Sequence, residues 1–159
     1  MEIKKLFFIF LDVDGVLNNE DYIEECYEKN GHHAMHMNHV PFDPKCLENL
    51  MILVNKLREK YSVEIILSST WRLHEIDYEI VNARIAEYGL SLFDKTKYMG
   101  NIRGLEIQDY LSNNKKCKDF LIIDDDPFDI VTYFKDNLVL TNFKTGFNKE
   151  ALDLALSKI

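Results

Sequence analysis

Long apolar runs, basic charge and cysteine are all scarce in this chain of 159 residues, and each shortage removes a class of function. The apolar run near its start, Leu6 to Leu11, stops at Asp12, and no stretch approaches the ~18 apolar residues that a membrane helix needs. Lys4 and Lys5 before that run imitate a secretory leader, but the run is too short for an h-region and no small-residue cleavage pattern follows. With 19 basic against 27 acidic residues the net charge is -8. That favours solubility and excludes wholesale coating of nucleic acid, while leaving room for a local basic groove. Cys26, Cys46 and Cys117 share no metal-type spacing, and their odd number argues against a disulfide framework. A reducing compartment is the plain reading, so a cytoplasmic location is expected. Nothing points to a membrane or to an obligate protein partner.

No internal repeat, low-complexity tract or linker divides the chain, so residues 1–159 read as one domain, long enough for a real core. Ordinary proportions of apolar (47%) and charged (29%) residues agree with a globular protein. Apolar strands rich in Ile, Val and Phe are predicted at 6–11, 63–67, 119–124 and 137–141. Helical periodicity falls at 44–61, 77–89, 104–114, near 128–134 and at 148–159. Continuous apolar strands alternating with helices imply an α/β fold, a doubly wound parallel sheet covered on both faces. Residues 18–43 break the alternation, acidic at first and then rich in histidine. They read as a small insertion after the first strand, a flap in place of a full cap domain.

In an open parallel sheet, ligands bind beyond the carboxyl ends of the strands. Asp12 and Asp14 follow the first strand, Ser68 and Ser69 the second, and Asp124, Asp125 and Asp126 the third. Two carboxylates about 4 Å apart repel by roughly 4 kcal/mol at an effective dielectric near 20. A hard divalent cation with oxygen ligands, Mg²⁺ being the commonest, is the natural offset. Residues i and i+2 of an extended chain face one way, so Asp12 and Asp14 can address one substrate, one attacking while the other moves a proton. Gly15 permits a sharp turn and a close approach to a ligand.

"DVDGVL" resembles the signature of the haloacid dehalogenase superfamily in its phosphatase branch. "IILSS", "NIRGLEI" and "FLIIDDDPFD" resemble its further elements in the same chain order, over roughly residues 6–130. "SSTWR" with "RGLEI" is similar to the phosphatase domain of Swiss-army-knife-type RNA-repair proteins. The resemblance implies a Mg²⁺-dependent phosphomonoester phosphatase. Asp12 would form an aspartyl-phosphate and Asp14 would act as acid and base. Ser68 would bond a phosphate oxygen and Arg103 would neutralise charge in the transition state. Asp12, the carbonyl of Asp14 and Asp125 or Asp124 would hold the metal. The superfamily often has Lys where Arg103 stands, and Lys95 or Lys97 could serve instead. A nucleotide or a nucleic-acid 3′-phosphate end is the suspected substrate, with Ser69, Arg72 and Lys97 as contacts and Trp71 available to stack on a base.

Plainer readings stand beside these. Ser68 and Ser69 suit a helix cap, Asp126-Pro127 suits a helix start, Trp71 suits a core, and Arg72 suits either the surface or the substrate. His32, His33, His36 and His39 invite a zinc reading, yet no Cys or carboxylate completes a typical spacing, and a polar flap or a solvated loop fits as well. Two functional alternatives remain: a phospho-receiver signalling domain, and a non-catalytic phosphate-binding protein on the same scaffold. Receivers resemble a different order, with the phosphoacceptor in the middle of the chain. Retention of both Asp12 and Asp14 argues against a dead scaffold.

Overall fold

A computed structural model describes residues 2–30 and 40–159. The histidine run at 32–39 lies outside the described residues. Within them the order is β1 (Lys5–Leu11), α1 (Glu20–Asn30), α2 (Pro44–Arg58), β2 (Tyr61–Leu67), a 3-10 turn (Thr70–Leu73), α3 (Glu75–Ala86), β3 (Leu92–Lys95), α4 (Arg103–Asn113), β4 (Asp119–Asp124), α5 (Ile130–Phe134), β5 (Leu138–Leu140) and α6 (Lys149–Ser157). The five strands form one sheet in the order β3-β2-β1-β4-β5, and every pairing is parallel. This is the expected α/β architecture.

Strand β1 is central and shows why the sheet is doubly covered. Its side chains alternate in direction. Phe7, Ile9 and Leu11 enter a core with Leu47, Leu50, Leu53, Val54 and Leu57 of α2, Val81 and Ile85 of α3, and Leu152 of α6. Phe8 and Phe10 enter a second core with Ile107 and Tyr110 of α4 and Ile130 of α5. A run with no polar side is therefore what a strand between two helical layers requires.

Two elements depart from expectation. Strand β3, "LFDK", was not foreseen: three of its four residues are exposed, so this short edge strand carries no apolar run to announce it. Part of the supposed insertion is the helix α1. Its part-buried face is a narrow stripe of Tyr22, Ile23, Cys26 and Tyr27 among exposed acids, and its start is fixed from outside. Asn19 caps it by accepting from Tyr22 N at 2.8 Å, and Glu20 and Asp21 occupy its first turn, where the helix dipole favours acids. Main-chain bonds from Glu20 and Asp21 to Phe143 and Lys144 tie its start to the turn before α6. Among the described residues no helix is long and apolar enough to cross a membrane.

The strand order places the site. The chain runs outward from β1 through β2 to β3, then crosses back to β4 on the other side of β1. Loops leaving β1 and β4 therefore diverge to opposite faces and open a crevice at the carboxyl end, the topological switch point where ligands bind. A larger hollow of about 500 Å³ lies near the start of β2, lined by Ile52, Lys56, Tyr61, Leu156 and Ile159 among others. It holds no convergent acidic or nucleophilic groups and lies away from the switch point.

Gly104 lets the layers close beside that crevice. A Cβ there would stand 2.4 Å from the ring of Tyr133 and 3.0 Å from the carbonyl of Asp129. We expect Gly104→Ala to cost about 1–3 kcal/mol by overpacking, read as a lower urea midpoint with an unchanged slope.

Candidate active site

Asp12 leaves β1 still tied to the sheet, its N–H donating to the carbonyl of Ile123 at 3.0 Å. The chain then turns over residues 14–17, with Gly15 at φ 74°. A Cβ on Gly15 would lie 2.2 Å from Oδ2 of Asp125, so only glycine lets the first turn close against the acidic loop after β4. What approaches Gly15 closely is thus the Asp125 carboxylate. Asp12 and Asp14 line one cleft of about 280 Å³ together with Thr70, Asn101, Arg103, Asp124, Asp125, Asp126 and Asp129. Asp12 is buried, whereas Asp14 is exposed at the mouth.

Oxygens of Asp12, Asp124 and Asp125 all lie within 4.8 Å of one another. Burial pushes Asp12 well above the ordinary carboxylate range; the charge of Asp124 adds to the shift and Arg103 opposes it. Burial likewise pushes Asp124 up to about 6, against the pull of Arg103. Asp125 is raised chiefly by burial. One donor oxygen is conspicuous: Oδ2 of Asp124 is buried with no hydrogen-bond partner, and its nearest cation, Nε of Arg103, stands 3.7 Å away. An all-oxygen set with that spacing fits a hard divalent cation, whose ligand distances run from about 2.0 to 2.6 Å. Both Asp124 and Asp125 belong to the set, and the carboxylate of Asp14 stands outside it.

Arg103 is held by the start of α4. Asp129 accepts from Gly104 N at 2.9 Å, pinning the helix to the acidic loop. Asn101, just upstream, takes the left-handed conformation at φ 60° and carries the chain around the cleft rim. Nη1 of Arg103 is buried without a partner, and so is the hydroxyl of Ser68. Arg103 is an unspent donor on the cleft wall, whereas Ser68, at the end of β2, is not among the residues that line the cleft. Of the upstream lysines, Lys95 lies 5.3 Å from the ring of Tyr78 and Lys97 is exposed and does not line the cleft. Arg103 is the basic residue that lines it.

Two expected substrate contacts are placed otherwise. Ser69 is buried and its Oγ accepts from Trp71 N at 3.3 Å, capping the 3-10 turn. Arg72 is buried in an ion pair with Glu106 at 2.6 Å, and its Nε donates to the carbonyl of Thr96 at 2.9 Å. A guanidinium committed to that interior cannot meet a ligand. Burial pulls Arg72 below its ordinary value while Glu106 opposes the shift. Glu106 also accepts from Met99 N at 2.7 Å, so the pair braces the serine turn, the β3 loop and α4 together. Thr70 lies within "SSTWR", and Asn101 and Glu106 within "NIRGLEI", but no role was expected for any of the three. A buried acid on a helix looks like a solvated one until its partner is seen. Asp126 accepts from Phe128 N at 3.0 Å in the turn just before α5, whose cap position is Asp129 and not the expected Asp126, and Asp126 also lines the cleft. Cys46 and Cys117 are pushed by burial up to about 12 and about 11, which leaves their thiols unreactive.

The family model described as the HAD domain in Swiss Army Knife RNA repair proteins matches residues 8–152. Among solved structures, a hydrolase of the haloacid dehalogenase-like family from Streptococcus pneumoniae matches at 13% identity, with a TM-score of 0.49, over 96% of this chain and 90% of that one. None of the curated proteins matches.

Two expectations follow from the site. Breaking the Arg72–Glu106 pair from one side, as Arg72→Met or Glu106→Leu, should cost about 3–5 kcal/mol in urea melts, and the double replacement should recover part of that loss. Mg²⁺ should stabilise the folded chain: at 100-fold over its Kd a ligand contributes about 2.7 kcal/mol, a rise in Tm of roughly 5–10 °C for this size. Asp125→Ala should abolish that rise and Asp126→Ala should keep it.

Proposed function

The chain belongs to the family of HAD domains found in Swiss Army Knife RNA repair proteins, and from that premise we propose that it is a Mg²⁺-dependent phosphomonoesterase with Asp12 as nucleophile. The observation that carries the reading is a buried, oxygen-only acidic cluster sharing one cleft at the switch point of the sheet with Arg103, whose Nη1 is unspent, while the unspent hydroxyl of Ser68 stands at the end of neighbouring β2.

A phosphate monoester enters the cleft with its non-bridging oxygens toward those donors. Ser68 donates to one oxygen and the Arg103 guanidinium offsets charge on the transferring group. Arg103 also draws Asp12 toward the ionised form that can attack. The Asp12 carboxylate forms a bond to phosphorus as the bond to the leaving oxygen breaks, and Asp14 supplies the proton that oxygen takes up. Asp14, now a base, removes a proton from water; the water attacks phosphorus, releasing inorganic phosphate and restoring Asp12. Asp12, Asp124 and Asp125 would hold Mg²⁺, which when bound would shield the negative substrate from the negative nucleophile. A receiver-type switch would instead retain the phosphoryl group; an acid–base residue two positions from the nucleophile favours its release.

The substrate we propose is a terminal phosphate on a nucleic acid, or a nucleotide. The family description supports this; among the described residues no full cap domain covers the mouth, and Lys97, exposed and outside the cleft lining, would contribute charge to a longer substrate.

Asp12→Asn is expected to abolish turnover with the fold intact, because an amide cannot attack phosphorus. Asp14→Asn should slow turnover by about 10²–10⁴-fold. Near-wild-type rates in Asp12→Asn would overturn the covalent route. In competition at matched concentration, a 3′-phosphorylated oligonucleotide should be hydrolysed ahead of a mononucleotide and a sugar phosphate. Its salt dependence should be shallow, since few phosphates are neutralised. Preference for the sugar phosphate would remove the nucleic-acid reading and leave the phosphatase one.

A further inference from the structure

Asp14 is exposed, yet its carboxylate is not free to turn. Oδ1 accepts from the indole Nε1 of Trp71 at 3.1 Å and from Nδ2 of Asn18 at 2.9 Å. Those donors come from different elements, the turn after β1 and the 3-10 turn after β2, and each is fixed independently of Asp14. Asn18 is buried, and its Oδ1 accepts from Gly15 N at 3.0 Å. Trp71 is held by the Ser69 cap on its N–H and by the ring of Phe42, edge-on at 5.5 Å and 73°. An indole N–H can only donate, and the amide nitrogen likewise.

We propose that Trp71 and Asn18 are positioning residues that fix Asp14 as the proton donor to the leaving group, by occupying Oδ1 and leaving Oδ2 to carry the transferable proton. The proposal rests on the phosphatase reading above. With two donors aimed at Oδ1, a proton there would meet them head-on, so the acid form of Asp14 bears it on Oδ2. As the bond between phosphorus and the leaving oxygen breaks and that between phosphorus and Asp12 forms, the Oδ2 proton passes to the leaving oxygen. The electron pair it leaves on the carboxylate is stabilised by the same two donors. Restraint matters because an exposed carboxylate otherwise samples several rotamers, and a 1 Å misplacement can cost about 10²-fold in rate.

The test is the dependence of kcat/KM on leaving-group acidity, over a series from p-nitrophenyl phosphate to simple alkyl phosphates. A leaving oxygen that is a weak base needs no proton, whereas an alkoxide does. Trp71→Phe keeps an aromatic ring against Phe42 and removes the donor. It should lose about tenfold on alkyl phosphates, within the range a misplaced acid can cost, and little on p-nitrophenyl phosphate, with an unchanged Tm. Asn18→Ala removes the other donor without placing a second carboxylate against Asp14 and should show the same steepening, so the proposal stays testable if Trp71→Phe does not fold. Asp14→Asn, measured alongside, should be steeper than either. An equal loss on every substrate in the Trp71 and Asn18 variants, with Asp14→Asn steep, would overturn the positioning role and leave Asp14 as the acid. A flat series in Asp14→Asn would overturn the acid role itself, and the positioning role with it.

Discussion

Crowding of negative charge is the constraint around which this molecule is arranged. Three carboxylates have oxygens within 4.8 Å of one another, and two of them are buried. Water cannot relieve such a cluster, and burial raises the affinity of Asp12 and Asp124 for protons. Stability alone would favour fewer acids here. The nearby cation is Arg103, and it is poorly matched: its Nε stays 3.7 Å from Asp124 and its Nη1 bonds to nothing. Unspent donors and unspent acceptors side by side are what a site for a cation and an anionic group would retain.

The surrounding structure serves to hold that strained arrangement in place. Gly15 lets the first turn press on Asp125, and Gly104 lets α4 press on the acidic loop and α5. Asp129 fastens the start of α4, and one turn further along Glu106 fastens it again through Arg72 and Met99. Arg103, on that first turn, is therefore held from both sides. Buried ion pairs seldom add net stability, and their best-attested use is to fix one arrangement among several. Arg72 and Glu106 fit that use, since the atoms they join belong to three separate segments of the chain.

Reading the sequence went well where period and direction carry the information. The run "LFFIFL" has no polar face and so had to lie between two layers; Phe7 and Phe8 entering opposite cores is the direct consequence. Helices α2 and α4 were visible from their apolar spacing. Reading faltered where an element owes its form to its ends or neighbours. Strand β3 is an exposed edge of four residues, recruited by pairing with β2, and α1 is an acidic helix secured at its capped start.

The sequence by itself determined that acids, serines and a basic residue would stand at strand ends, because polar residues cannot interrupt a buried parallel strand and must follow it. It also determined the parallel α/β sheet, from strands with no polar side. Only the tertiary structure decided which of those residues face one another. Arg72 and Arg103 are both arginines beside motif residues, yet one is spent on Glu106 in the interior and the other lines the cleft. Trp71 packs against the core as its residue type suggests, but only the fold carries its indole N–H to Asp14, 57 residues away in the chain. Such pairings depend on how three loops converge at the β1–β4 switch point, and no local pattern of residues encodes that distance.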